Sequence, residues 1–308
     1  MQIYDTVIVG GGPAGITAAL YTLRAGNSVA WVEKMAPGGQ VLLTEWIDNY
    51  PGFPQGIKGY ELVDIMAAHL DNFSFDKYTE EVKSITPDPA GHNLQVGRDW
   101  IQAKSVILAT GAEHSKLGLD REDELMGRGV SYCGLCDGNF FRDQEIVCIG
   151  GGNTALEESL YLSKLAKKVY LVHRRDKFRG DKIYQDKVIE QPNIEILYNK
   201  VPKTILGEND VQGLEVQDVQ TKETSSLDVN GIFIFVGIKP ITEFLPDFIQ
   251  TDRAGFVVTD TEMRTNVQGI YAAGDVRSKL CRQVTTAVGD GATAANAANV
   301  YMQEQANV

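Results

Sequence analysis

Cysteine is scarce, with four residues in a chain of 308, too few for a disulfide-stapled scaffold. Proline is scarce as well, at ten, so the 31 glycines do not belong to a low-complexity linker. They mark tight turns and close backbone approaches instead. No apolar run approaches the roughly 18 residues of a membrane helix, and no membrane association is expected. Positive charge is in deficit: 29 Lys and Arg against 41 Asp and Glu leave a net charge of −12. Such a field argues against nucleic-acid binding, although backbone dipoles can still hold small anions. The four histidines (His69, His92, His114 and His173) do not cluster, so no metal site is expected. The opening run Met1–Asp5 enters a strand pattern with no basic leader, and a cytoplasmic protein is expected. What is present is a 43% hydrophobic, 23% charged composition. That is enough for a full core and excludes disorder, and the length suits two domains.

The chain repeats itself. Asp5–Val9 runs into Gly10-Gly11-Gly12-Pro13-Ala14-Gly15 and an Ala/Leu-rich helical stretch to about Ala25. Farther on, Glu145–Ile149 runs into Gly150-Gly151-Gly152-Asn153-Thr154-Ala155 and a helical stretch to Leu165. Each continues into a short apolar strand, Ser28–Val32 and Lys168–Val172. These are two strand–turn–helix–strand units of the dinucleotide-binding type. A helix is expected over Tyr60–Leu70, alternating segments over Glu81–Ile101, and a buried strand at Ser105–Ala109. After the second unit come strand-like runs near Ile194–Tyr198, Gln212–Val219 and Gly231–Val236. A linker punctuated by Pro240 and Pro246, a strand at Gly269–Ala273 and a helix from about Gln283 to Tyr301 follow. The last section has no dinucleotide turn, so it completes the first sheet. The expected organisation is α/β, with an outer domain of 1–114 plus 246–308 and a second, Rossmann-like domain inserted at 115–245.

In the first turn, Gly10 makes the tight bend, Gly12 admits a pyrophosphate and Gly15 allows close helix–strand packing. The helix that starts at Pro13 and Ala14 offers unpaired amides to phosphate. Glu33, 23 residues past Gly10, can accept hydrogen bonds from ribose hydroxyls and would repel a 2′-phosphate. Gly150, Gly152 and Ala155 take the same roles in the second turn, whose helix opens with Asn153 and Thr154. There the matching position is His173, followed by Arg174, Arg175 and Arg179. Guanidiniums grip phosphate in charge-assisted forks, a preference for NADPH over NADH. A solvated basic face is the bland alternative for these arginines.

Cys133-Gly134-Leu135-Cys136-Asp137 has the spacing of a redox dithiol. Zinc would need a second pair at ligand spacing, which is lacking. Asp137 is a candidate proton donor for thiolates released on disulfide reduction; a surface carboxylate in a turn is the alternative. Cys148 reads as a small buried hydrophobe and Cys281 as structural, with a reactive thiol as the alternative.

These motifs, with Gly38-Gly39-Gln40, Asn49–Gly52, Ala109–Gly111, Ala272–Val276 and Arg282-Gln283, run through the whole chain in order. Together they closely resemble the low-molecular-weight, bacterial-type thioredoxin reductases of the FAD-dependent pyridine nucleotide-disulfide oxidoreductase family. The resemblance implies two Rossmann-like domains of the three-layer β/β/α type, FAD in the outer one and NADPH in the inserted one. It implies a homodimer, thioredoxin as partner, and domain rotation between half-reactions. Gly274-Asp275 would hold the phosphate and ribityl region of FAD. Gly39, Gln40, Asn49, Thr110 and Gly111 would join that site, as would Arg282, Gln283 and Val284 where the last helix begins. Cys136 would face the flavin, Cys133 would attack the thioredoxin disulfide, and Arg128 would contact thioredoxin. Two departures stand out: Gly134-Leu135 replaces the usual Ala-Thr, and Gly289-Asp290-Gly291-Ala292-Thr293 replaces Gly-Thr-Gly-Cys-Met. Glutathione-reductase-like enzymes carry their cysteines soon after the first turn, where Met35–Leu43 has none. Two other functions remain open. One is a flavin disulfide reductase fed by ferredoxin or NADH; the other is a flavin-binding redox sensor.

Overall fold

In a computed structural model, residues 2–44, 46–88 and 91–306 are described. Met1 and the Pro89-Ala90 part of the expected alternating stretch lie outside them. The chain opens with β1 (Gln2–Val9), α1 (Pro13–Arg24) and β2 (Val29–Val32), then α2 (Gly59–Ala68) and β3 (Asp76–Tyr78). Next come β4 (Val82–Thr86), β5 (His92–Val96), the long β6 (Asp99–Leu108) and β7 (Ala112–His114). The middle section holds β8 (Val130–Ser131), α3 (Gly134–Asp137), β9 (Glu145–Gly150), α4 (Asn153–Leu162), β10 (Lys168–His173) and α5 (Lys182–Glu190). It continues through β11 (Ile194–Tyr198), β12 (Lys200–Leu206), β13 (Gly213–Asp218), β14 (Thr224–Leu227) and β15 (Gly231–Phe235). The chain closes with β16 (Ile238–Pro240), β17 (Ile270–Ala272) and α6 (Val284–Ala306).

Two units result, residues 1–113 with 239–308 and residues 114–238. The first is built on a sheet of order β3-β2-β1-β6-β5-β4, with β17 added parallel to β6. Strand β1 is central, and its apolar run Val7–Val9 is buried on both faces, as parallel strands require. The first half of β6 pairs antiparallel with β5 and the second half lies in the parallel sheet, between β1 and β17. One face is covered by α1 and α6, through Ile16, Ala18, Ala294 and Ala298. The other is covered by the β4–β5 hairpin and the returning segment, through Val82, Leu94, Ile249 and Val257. This is a β/β/α sandwich.

The second unit has the same three layers. Its parallel sheet, β11-β10-β9-β15-β8, carries α4 and α5 on one face, through Leu156, Leu162 and Val188. The antiparallel meander β12-β13-β14 covers the other, through Ile205, Leu214 and Val216. The two crossings, β7 and β16, pair with each other.

The return to the first unit falls at residue 239. Thr110 donates to the Ile241 carbonyl at 2.7 Å, and Phe244 and Leu245 pack against the first unit's core. The segment between the two prolines is therefore held structure and not a linker. The expected Tyr60–Leu70 helix stops at Ala68, its last turn tightening into a 3₁₀ turn over His69–Asn72.

Candidate functional site

In the first unit, β1 runs into Gly10, whose φ of +111° suits only glycine without strain. A Cβ there would lie 2.3 Å from the Ala109 carbonyl oxygen. Gly15 is fixed by packing: a Cβ would fall 1.9 Å from the Gly10 oxygen. At Gly12 a Cβ would meet nothing within 4 Å. Gly12 also caps α1 without a side-chain bond, so the first-turn amides of Ala14 and Gly15 border open space suited to phosphate. Just past β2, the Glu33 carboxylate accepts from the Gly11 amide at 2.6 Å and the Met35 amide at 2.8 Å. Gly38 donates to the Gly11 carbonyl at 2.7 Å, bringing the turn of Gly39 and the exposed Gln40 against the phosphate turn.

The returning segment supplies the opposite wall. Gly274 has φ +77°, and a Cβ would lie 2.8 Å from that of Ala14. Beside it, Asp275 Oδ1 is sealed from solvent and lacks a hydrogen-bond partner among the described residues, with Lys279 Nζ 3.4 Å away. Burial pushes the Asp275 pKa up against the pull of Lys279 and Arg282. A buried carboxylate oxygen beside the glycine turn, with an ion pair but no hydrogen bond, has room to accept from a ligand hydroxyl. Arg282 lies 4.0 Å over the Phe256 ring and donates to the Lys279 and Arg277 carbonyls, each at 3.1 Å, which fixes the loop leading to Gln283 and Val284. Asn49 donates to Gln283 at 3.1 Å. At Gly111, φ is +75° and the space a Cβ would enter is open.

In the second unit, a Cβ at Gly150 would lie 2.5 Å from the Cβ of Ala155 and from the Phe235 oxygen, so the helix closes tightly on the turn. Gly152 repeats the open, uncapped arrangement of Gly12. Asn153 and Asp181 exchange hydrogen bonds at 2.7 and 2.8 Å, which orients the start of α4 next to the exposed Thr154. His173 is buried, its Nε2 3.0 Å from the Lys177 carbonyl and its ring against Phe178. Burial depresses its pKa. The ring thus shapes the loop, while Arg174, Arg175 and Arg179 stand exposed on it. The Arg179 amide donates to the Gly151 carbonyl at 2.7 Å, so the basic loop abuts the glycine turn.

The same unit carries a disulfide between Cys133 and Cys136, with Cα atoms 5.3 Å apart. Cys133 caps the single turn α3, its Sγ accepting from the Cys136 amide at 3.1 Å. Ser131 Oγ donates to Asp137 Oδ2 at 2.5 Å and accepts from the Cys133 amide at 3.1 Å. The candidate acid is therefore tethered to the backbone of the first cysteine. Two residues were not legible from spacing. Ser131 is one. The other is Glu122, which accepts from the Leu117, Gly118 and Leu119 amides and from the Tyr132 hydroxyl, anchoring the strand that enters Cys133. Cys148 is buried and Cys281 exposed, both as free thiols. Among the described residues no cluster of His, Cys, Asp and Glu could hold a metal, and no helix is long and apolar enough to cross a membrane.

A family profile described as pyridine nucleotide-disulphide oxidoreductase matches residues 4–291, and the chain belongs to that family. Its relatives narrow the class. It is 44% identical over 304 residues to the thioredoxin reductase of Treponema pallidum, with 99% of each chain covered. It is 42% identical over 304 residues to that of Listeria monocytogenes, covering 98% of this chain and 95% of the relative. The crystal structure of thioredoxin reductase from Streptococcus pyogenes matches it with a TM-score of 0.95 at 42% identity, over 98% of this chain and 99% of that one. The Cys133–Cys136 disulfide fits the redox-active centre of such an oxidoreductase.

Proposed function

We propose that the chain is an NADPH-dependent thioredoxin-disulfide reductase, with FAD in the unit of 1–113 and 239–308 and NADPH in the unit of 114–238. The observation that carries this is the Cys133–Cys136 disulfide, tethered through Ser131 to Asp137, in the unit whose glycine turn abuts three exposed arginines. The residues present fit both cofactors. Gly12 leaves room for a pyrophosphate on the uncapped start of α1, Glu33 suits ribose hydroxyls, and the buried oxygen of Asp275 suits a ribityl hydroxyl. Gly39, Gln40, Asn49, Thr110, Gly111, Arg282, Gln283 and Val284 complete that site. Gly152 admits the second pyrophosphate, with Gly150, Asn153, Thr154 and Ala155 shaping the turn. Arg174, Arg175 and Arg179 take the 2′-phosphate, with His173 ordering their loop.

Bound flavin would pass an electron pair from the nicotinamide to the disulfide. The chain's own chemistry follows from there. The Cys133 thiolate attacks the partner's disulfide, forming a mixed disulfide and expelling one partner thiolate. Cys136 then attacks Cys133 Sγ, restoring the intramolecular bond and freeing the second partner thiol. Asp137, tethered through Ser131, is the candidate carrier of a proton to a departing sulfur. Arg128, exposed between Gly127 and Gly129, is the expected contact for thioredoxin. The working protein is a cytoplasmic homodimer, and the inserted unit rotates about its two crossings between half-reactions. No nucleic acid, membrane or metal enters the reaction.

Anaerobic titration of the yellow protein, followed by addition of thioredoxin, tests this. NADPH should bleach the flavin at far lower concentration than NADH, and thioredoxin should restore the colour while releasing two thiols. Replacing Arg174 and Arg175 with Ala should raise the KM for NADPH about tenfold or more and leave NADH unchanged, since each charge-assisted bond contributes roughly 1.5–3 kcal/mol. A requirement for reduced ferredoxin, or equal losses with both nucleotides, would refute the donor assignment.

A further inference from the structure

Glu158 lies on α4, the helix that packs on the cysteine turn α3. Its Oε2 is sealed from solvent and has no hydrogen-bond partner among the described residues. The amides of Gly134 and Leu135, the first two of α3, face this carboxyl and pull its pKa down, but burial outweighs them and pushes it up. The third amide, of Cys136, donates to Cys133 Sγ. The amide end of the turn is thus divided between a sulfur and a carboxyl. Gly134 is where the two meet. Its φ is not among the left-handed ones, so conformation does not demand glycine. The carboxyl occupies the space instead: a Cβ would fall 2.3 Å from Glu158 Oε2 and 3.2 Å from Leu162 Cδ1, both side-chain ends, so it would displace the carboxyl from the amides rather than be excluded. The other ionisable groups around Glu158 are Glu157 on the same helix and the buried Cys148 thiol on β9, whose pKa is pushed up to about 12.

We propose that Glu158 is a positioning residue that sets the reducing strength of the Cys133–Cys136 pair, and that residue 134 is glycine to admit its carboxyl. Amides at the start of a helical turn stabilise a cysteine thiolate. A dithiol whose reduced form is stabilised in this way is a weaker reductant. A carboxylate turned towards the same amides competes for their field and repels a thiolate, so it disfavours the reduced pair and makes it a stronger electron donor. This rests on the disulfide-reductase reading, in which the pair must surrender its electrons to a partner.

The test is thiol–disulfide exchange of the holoprotein with dithiothreitol. Two electrons and two protons pass from the reagent's thiols to the Cys133–Cys136 bond, leaving the cyclic reagent disulfide and two protein thiols. After acid quenching and alkylation, peptide mass counts the reduced pair. Glu158→Gln keeps the side chain's shape and removes its charge. It should shift the exchange equilibrium about tenfold towards the dithiol, or about 30 mV to more positive potential. Gly134→Ala, which crowds the carboxyl out, should shift it in the same direction, and the double variant should shift no further than the larger single. An unmoved equilibrium in Glu158→Gln, a shift towards the disulfide, or independent addition of the two effects would overturn the proposal. The readout needs neither NADPH nor thioredoxin, so it stands apart from the donor and partner assignments.

Discussion

Asp290 shows what a single side chain contributes. Its Oδ2 accepts from the Gly274 amide and from Lys279 Nζ, each at 3.1 Å, while Oδ1 pairs with Arg277 Nη1 at 2.9 Å. Arg277, Lys279 and Asp290 are only 11–12% exposed, so the cluster works largely out of water. Removing one partner of a buried ion pair costs about 3–5 kcal/mol, because the remaining charge stays desolvated. Asp290→Ala should therefore lower Tm by on the order of 10 °C. It should also release the Gly274 loop and weaken flavin retention during ultrafiltration. Asp290→Asn, which can still accept from Gly274, should fall between. A variant with native Tm and native flavin content would show that the cluster is idle. From sequence Asp290 stood out only as a departure from a family pattern, since the cations it pairs with lie in a loop that precedes α6. The glycine turns were legible because their demands are local, confined to a bend and the first turn of a helix. Glu158 was not, because only tertiary packing brings α4 against α3; Glu122 and Ser131 bond within ten residues of themselves, but in irregular chain that carries no periodicity to mark them.

At the level of elements, α6 contains two glycines with opposite meanings. A Cβ on Gly291 would fall 2.3 Å from the Ala14 carbonyl oxygen of α1, a backbone atom that cannot move aside cheaply. A Cβ on Gly289 would meet nothing within 4 Å. Gly291→Ala should destabilise by roughly 1–3 kcal/mol, as overpacking does. Gly289→Ala should stabilise by up to about 1 kcal/mol through helix propensity alone. Denaturant unfolding of the two variants gives the comparison, and shifts of the same sign would refute this account of how α1 and α6 meet. The strand–turn–helix units were readable because a buried apolar run and a glycine turn are strong local signals, and β1, α1, β9 and α4 lie where those signals put them. Helix α5 was missed: of its residues only Val188 is buried, so it has no apolar stripe. Strand β12 was missed too. Pro202 interrupts its pattern, and the register slips between Pro202 and Thr204.

Over the whole molecule, charge and connectivity set the behaviour. Burial lowers the pKa of His92, His114 and His173, which are spread over both units. The unfolded chain then binds more protons as pH falls from about 6.5, so this part of the stability is present above that pH and is lost below it. Asp275 and Glu158, with raised pKa values, act the other way, gaining stability as pH falls. Tm should drop between pH 7.5 and 6, because the ordinary histidine value lies within this window while the ordinary carboxyl value lies well below it; a rise there would contradict the burial of the rings. Connectivity makes the sharper prediction. Both cores of the second unit are drawn from residues between Leu117 and Phe235, one continuous stretch. Expressed alone, 114–238 should unfold cooperatively in denaturant and keep its Cys133–Cys136 disulfide. The first unit cannot be split this way. Its core takes Met263, Tyr271, Ala273, Ala287 and Ala294 from beyond the insertion, and β17 pairs with the second half of β6. A fragment of 1–113 should therefore stay unfolded. Because β7 and β16 are hydrogen-bonded neighbours, a short turn joining Glu113 to Lys239 should bypass the insertion and restore a folded unit. Far-UV circular dichroism with urea titration of the three proteins decides. Cooperative folding of 1–113 by itself, or failure of both 114–238 and the short-circuited chain, would mean that the two cores depend on each other in a way their residue composition does not require.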